Sequence, residues 1–257
     1  MYTAASGALV AQSAVDTIAN NLANVNTTGF KRAVLQVQAQ PQINLYRIQT
    51  DPSAPGTSGV PSQVAIGSLG SGAQIYDTPA DFAQGVIAST GNDLDVALSG
   101  PGFFAVRNAA NAVRYTRDGA FVRSATGTLT NANGDAVLDA GGNPITLPAS
   151  GAITIGTDGT ISVGGQTYDR LGITEFANAA NLRPEGANNF IDAGAGARAA
   201  TNTSALQGSL EKSNADVVRS MVDLIANERW FDANQKSIQT QDDAVAQAVQ
   251  TVGRTSA

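Results

Sequence analysis

Apolar residues recur at alternating steps of three and four at both ends of the chain, and the middle follows a different rhythm. Near the N-terminus the positions are Ala4, Ala8, Ala11, Val15, Ile18, Leu22 and Val25, the one-sided stripe of a helix with a coiled-coil seam. Gln12, Ser13, Asp16, Asn20 and Asn24 fall on the opposite face, and Thr27, Thr28 and Gly29 are weak helix formers that end it. Near the C-terminus Val217, Met221, Leu224, Phe231, Ile238, Val245, Val249 and Val252 share one frame, with Glu228, Gln235 and Asp242 as its polar interruptions. A helix over 214–252 is predicted, roughly 55–60 Å long at 1.5 Å per residue. Ser213 or Asn214 would cap it, with Asp216 in its first turn. A stripe that long cannot be buried on a small domain without a partner, first the N-terminal helix and then neighbouring subunits.

Between the helices the period drops to two. Asp118-Gly119, Asn133-Gly134, Gly141-Gly142, Asp158-Gly159 and Gly164-Gly165 are hairpin-turn dipeptides among short alternating runs at 94–98, 103–106, 153–155, 161–163 and 171–176. Pro41, Pro52, Pro55, Pro61 and Pro79, with many Gly and Ser, mark the stretch before them. The expected fold is a mainly β central domain of short antiparallel strands, with long N- and C-terminal α-helices pairing in a coiled-coil-like stalk. Its parts are an assembly helix over 1–30, an extended linker with at most a strand or two over 31–89, an all-β body over 90–205, and a second assembly helix over 206–257.

Composition narrows the function. The 257 residues are 42% hydrophobic, enough for a core, yet only 14% are charged, against about a quarter in an ordinary soluble domain. The net charge of −6 argues against nucleic acid, and the longest basic run, Lys31-Arg32, reads as a solvated pair. With no Cys and no His, disulfides, zinc fingers, thiol nucleophiles and His-based triads are excluded. The first ten residues carry no signal-peptide pattern, and no run approaches the roughly 20 apolar residues that span a bilayer. No membrane insertion is expected.

Candidate chemistry is sparse, and no catalytic, cofactor or metal site is expected. Gly67, Gly70 and Gly72 lack the spacing and the following helix of a phosphate loop. Asn131, Asn133 and Asp135 resemble part of a calcium loop, but the Gly and Glu that such a loop needs are misplaced, so a β-turn is expected. Asp93 and Asp95 would share a strand face as exposed, solvated acids rather than as an acid–base pair, and Asp242 and Asp243 diverge on their helix. Phe103, Phe104, Tyr115 and Phe121 read as core. Trp230 points about 100° away from Phe231, toward a second helix partner or toward the body. The N-terminal seam is mostly Ala and marginal alone at roughly 25 cal/mol per Å². Val245 and Val249 lie beyond its reach, which favours intermolecular contact.

Four blocks resemble the flagellar basal-body rod and hook family. The first is Ala19-Asn20-Asn21-Leu22-Ala23-Asn24-Val25-Asn26-Thr27-Thr28-Gly29-Phe30-Lys31. The second is Asp95-Val96-Ala97-Leu98 followed by Gly100-Pro101-Gly102-Phe103-Phe104, and the third is Tyr115-Thr116-Arg117-Asp118-Gly119. The fourth runs from Gly208-Ser209-Leu210-Glu211-Lys212-Ser213-Asn214 through Met221 and Ile225 to Arg229, Phe231 and Lys236. Ala215 stands where Val is usual and Asp232 where Glu is usual. The short start Met1-Tyr2-Thr3-Ala4-Ala5-Ser6-Gly7 looks more like the proximal-rod type than the distal-rod type, which usually opens with a longer apolar segment. The resemblance implies a torque-transmitting axial assembly in the periplasm-spanning basal body. It also implies export through the flagellar apparatus without signal cleavage, and partners that are copies of itself and other rod subunits. Gly29 and Phe30 would form the joint and anchor below the first helix, and the terminal segments would stay poorly ordered until neighbours arrive. A distal-rod or hook subunit is the alternative within the family. From other classes, the alternatives are an adhesin-like module, a carbohydrate-binding module or a carboxylate-only glycosidase.

Overall fold

The computed structural model describes residues 2–49 and 62–254. They form mainly β structure with one helix near each end, α1 (Tyr2–Ala23) and α2 (Val217–Arg254), and fall into two compact units. One unit comprises 18–34 and 78–221; the other draws on 1–17, 35–77 and 222–257. The β body therefore includes the last turn of α1 and the first turn of α2.

In the body the alternation of neighbouring residues decides which core each one enters. On β7 (Phe103–Arg107), Phe104 and Val106 point into the larger cluster with Val96, Leu98, Phe121, Leu129 and Ile161. Phe103 points the other way, to Phe176, Leu182 and Phe190. Phe104 meets Phe121 edge-on at 4.9 Å between ring centroids, and Phe103 meets Phe176 at 5.5 Å, so all four expected aromatic positions are used in packing, Tyr115 against Phe176 at 4.8 Å. Each such fully buried side chain contributes about 1.5–3 kcal/mol over exposure.

β7 lies at the centre of the main antiparallel sheet, paired with β8 (Val113–Thr116), β11 (Ala136–Val137) and β15 (Ile173–Phe176). β10 (Leu129–Thr130) and β9 (Val122–Arg123) follow β11, β17 (Asn189–Asp192) and β16 (Leu182–Gly186) follow β8, and β18 (Ala197–Ala199) pairs with β15. β12 (Ile153–Ile155), β13 (Thr160–Val163) and β14 (Gln166–Arg170) make a separate meander. Its second turn is Gly164-Gly165, both left-handed at φ 59° and 85°, the backbone that a two-residue hairpin of this twist requires. Asp118-Gly119 is a different object. It is a buried, non-hairpin segment in which a side chain on Gly119 would collide with the Val96 carbonyl, so glycine is needed there for close approach.

Two ribbons carry the chain back toward α2: β6 (Val96–Ser99) with β19 (Ser204–Gln207), and β5 (Ile87–Ser89) with β20 (Ser209–Glu211). Gly208, left-handed at φ 69°, joins β19 to β20. Asp95 is buried just before β6, where it accepts from the Thr90 hydroxyl at 2.7 Å and the Asn92 amide at 3.0 Å. It is a turn organiser, whereas Asp93 is exposed, so the expected pair of solvated strand acids is not formed. Asn131 likewise organises the turn before Asp135, its side-chain oxygen accepting from the Asn133 and Asp135 amides.

In the other unit, the segment expected as linker holds β1 (Gln36–Ala39) paired with β4 (Ala73–Asp77) and β2 (Ile43–Gln49) paired with β3 (Ser62–Leu69). With β5, five strands lie among the described residues of 31–89. Pro41 and Pro79 lie between elements and interrupt no strand, and Pro52, Pro55 and Pro61 lie outside the described residues.

Candidate assembly interface

The N-terminal segment below α1 is held to the body by polar groups. Asn24 donates its side-chain amide to the Asn20 carbonyl at 2.9 Å, closing the last turn of α1. Asn21 then clasps the segment that follows: its amide donates to the Ala33 carbonyl and its oxygen accepts from the Ala33 amide, each at 2.8 Å. Gly29, at φ 65°, sits where a side chain would fall on the peptide joining Arg117 to Asp118, and its amide donates to the Glu211 carbonyl at 2.8 Å. The expected joint at Gly29 is therefore a steric requirement.

Lys31 is the main departure from the sequence expectation. It is not solvated: its side chain and that of Glu211 both have 0% exposure, and they meet at 2.6 Å. The carboxylate bridges three parts of the chain. One oxygen accepts from Lys31 Nζ and from the Gly85 amide at 2.7 Å, and the other accepts from Arg117 at 3.3 Å. Lys31 also donates to the Ala83 carbonyl at 2.8 Å, and the Arg117 guanidinium lies 4.7 Å from the centre of the Phe103 ring. Burial pulls both cations below their usual ranges, with Glu211 pulling each back up. Beside them burial pushes the Asp118 carboxyl up, against the hydrogen bond it accepts from the Thr28 hydroxyl at 2.7 Å.

A second, more open clasp flanks this cluster. Arg32 forks onto Asp81 at 2.8 and 2.9 Å. Asn214 accepts from the Arg32 amide at 2.8 Å and donates to the Asp81 and Ala83 carbonyls. Asn214 is thus a cross-link and not the helix cap; Asp216 caps α2 by accepting from the Arg219 amide at 2.8 Å. A cleft of about 610 Å³ opens beside the junction, lined by amide side chains such as Asn24, Asn133 and Asn188 and by Phe30.

The helices present two kinds of surface. On α1 the expected stripe is at least half-buried throughout: Ala4 and Ala11 are buried, and Ala8, Val15, Ile18, Leu22 and Val25 are intermediate, with Val10 a buried position that the stripe omitted. On α2 the partly buried stripe is Leu224, Asn227, Phe231, Asn234, Ile238 and Gln241, while Glu228, Gln235 and Asp242 are exposed. The frame keeps Leu224, Phe231 and Ile238 but takes its polar positions one residue earlier. Gly7 offers the physical reason, since its bare backbone lies against the Asn234 amide. Other apolar positions remain open: Val217 and Met221 are exposed, as are Ile225 and Trp230, and Val245 and Val249 reach 54% and 66%, while the side chain of Val252 lies outside those described. Val218 and Val222, which the sequence stripe passed over, are exposed too, at 73% and 61%.

Comparison with known proteins places these segments. A family model for the flagella basal body rod protein matches residues 1–31, and one for the D1 domain of the flagellar hook protein FlgE/F/G matches 97–163. The C-terminal model of the flagellar basal body rod FlgEFG proteins matches 206–251. The flagellar basal-body rod protein FlgG of Bacillus subtilis is 34% identical over 97% of this chain and 97% of its own length. The chain belongs to the flagellar basal-body rod family. The FlgG protein of Agrobacterium fabrum, 33% identical over 93% of the chain and 94% of its own length, and the FlgF protein of Caulobacter vibrioides, 32% over 99% and 98%, are further rod-family relatives. The rod-family segments at the two ends contain α1, α2 as far as residue 251, and Lys31 and Glu211 of the buried cluster, while Arg117, Asp118, Ala83 and Gly85 come from the chain between them. Lys31 and Glu211 lie inside the motif blocks that carried the resemblance, but nothing in either block signals that the two meet.

Proposed function

We propose that this structural rod subunit polymerises with copies of itself and with other rod subunits through its terminal helices, which pair across subunits into the wall of a torque-transmitting shaft. The observation that carries this reading is the apolar surface left open on α2, where Met221, Ile225, Trp230, Val245 and Val249 are each at least half exposed. Burying such residues in a helix–helix seam is what stabilises a coiled assembly, and Glu228, Gln235 and Asp242, exposed on the same helix, would set its register at some cost in stability. The body would face outward, and the role is structural rather than catalytic: Asp93 and Asp95 do not converge, and Glu211 is consumed by two cations. Export without signal cleavage into the periplasm-spanning rod belongs to the same proposal, as does a proximal position, for which the FlgF relative speaks.

Ile225→Asp tests it. The charge sits on an exposed position, so the isolated variant should unfold within about 0.5 kcal/mol of wild type, yet fail to enter basal bodies or restore motility to a strain lacking the chain. Normal incorporation would refute assembly through α2.

A further inference from the structure

We propose that the Lys31–Glu211–Arg117 cluster is a lock, closed in the free subunit, that sets where the folded part of each terminal segment ends and the part that awaits neighbours begins. The inference rests on the rod reading for what the outer parts await. Residues 18–34 and 208–221 would be folded before assembly, and only the outer lengths of the two helices would depend on it.

Three observations carry this. The chain bonds its own two ends together through residues 180 positions apart, with both side chains fully withdrawn from water and every partner supplied within the body unit. No neighbouring subunit is needed to complete the cluster. The hold is also polar rather than apolar: within 24–34 only Gly29 and Lys31 are buried. A segment held this way is either seated or released, because withdrawing Lys31 leaves the buried Glu211 carboxylate short of one of its two cations. Finally, the compact units divide α1 after residue 17 and α2 after residue 221. Before the first division stand Tyr2 and Leu9, exposed at 89% and 69%, and beyond the second stand most of the uncovered apolar residues of α2.

Hydrogen exchange on the isolated full-length chain tests the lock without any assembly, so its failure is distinguishable from a failure of the rod reading. In wild type, peptides over 26–34 and 206–216 should exchange at least about 100-fold more slowly than an unstructured chain, while 2–17 and 225–250 exchange close to the unstructured rate. Lys31→Met should speed exchange in both junction peptides by tenfold or more and leave 96–107 protected. Arg32→Ala, which opens only the outer clasp, should speed 26–34 by a smaller factor with the same silence at 96–107. Unprotected junction peptides in wild type would overturn the lock, as would an unchanged 206–216 in Lys31→Met. Loss of protection at 96–107 in both variants would also overturn it, since the junction would then be no separable device.

Discussion

Glu211→Gln removes charge from the junction while keeping its shape, and its cost follows from the geometry. The carboxylate accepts from Lys31 at 2.6 Å, from the Gly85 amide at 2.7 Å and from Arg117 at 3.3 Å, all with essentially no exposure to water. A glutamine retains one acceptor oxygen but turns an N–H donor toward one of the cations and leaves two buried charges without a counterion. Breaking a buried pair in this way costs about 3–5 kcal/mol, which for a unit of this size lowers the melting temperature by roughly 10 °C. Lys31→Met should cost less, about 1–3 kcal/mol, because Glu211 keeps Arg117 and the Gly85 amide. The assay is calorimetry with far-ultraviolet circular dichroism. Tryptophan fluorescence is unsuitable, since Trp230 belongs to the other unit. A shift below about 3 °C for Glu211→Gln, or a larger loss for Lys31→Met than for Glu211→Gln, would refute the reasoning.

Two further outcomes follow from the same junction. Gly29→Ala should destabilise the body by more than about 2 kcal/mol in chemical denaturation, because it adds a left-handed alanine and a collision with the 117–118 peptide. Gly164→Ala, left-handed too but with open space around it, should cost only about 1–2 kcal/mol. At the outer clasp, the Ala83 amide and then Arg32 hold the Asp81 carboxyl below its ordinary 3.8. A depressed folded value means that the stabilisation is whole above about pH 3.8 and is lost as pH falls toward the folded value. Asp81→Asn should therefore be less stable than wild type at neutral pH and converge with it as pH drops below 3.8 in a denaturation series; a constant gap would refute the assignment.

The architecture was legible where the information is local. Steps of three and four located both helices, and left-handed glycines marked true turns at Gly134, Gly159 and Gly164. The same dipeptide logic failed at Asp118-Gly119, because a glycine needed for close approach to a distant backbone looks identical in sequence to one needed for a turn. Lys31 reads as solvated for a related reason: its partner lies 180 residues away, and no local pattern reports an ion pair closed by the fold. Along α2 the stripe was found but its polar positions were misplaced by one, since apolar identity fixes Leu224, Phe231 and Ile238 while Gly7 makes room for Asn234. Between 31 and 89 the prolines and glycines outweighed alternation that two-stranded pairing was sufficient to use.

The most direct test of assembly through the helices uses the absence of cysteine from the chain. Single cysteines at Val249, exposed on α2, and at Ala110, exposed on the body, should react with a maleimide at similar rates in the isolated subunit. In purified basal bodies the Val249→Cys site should become at least tenfold less reactive while Ala110→Cys changes little. Equal labelling of Val249→Cys in the free and assembled chain would contradict the central claim.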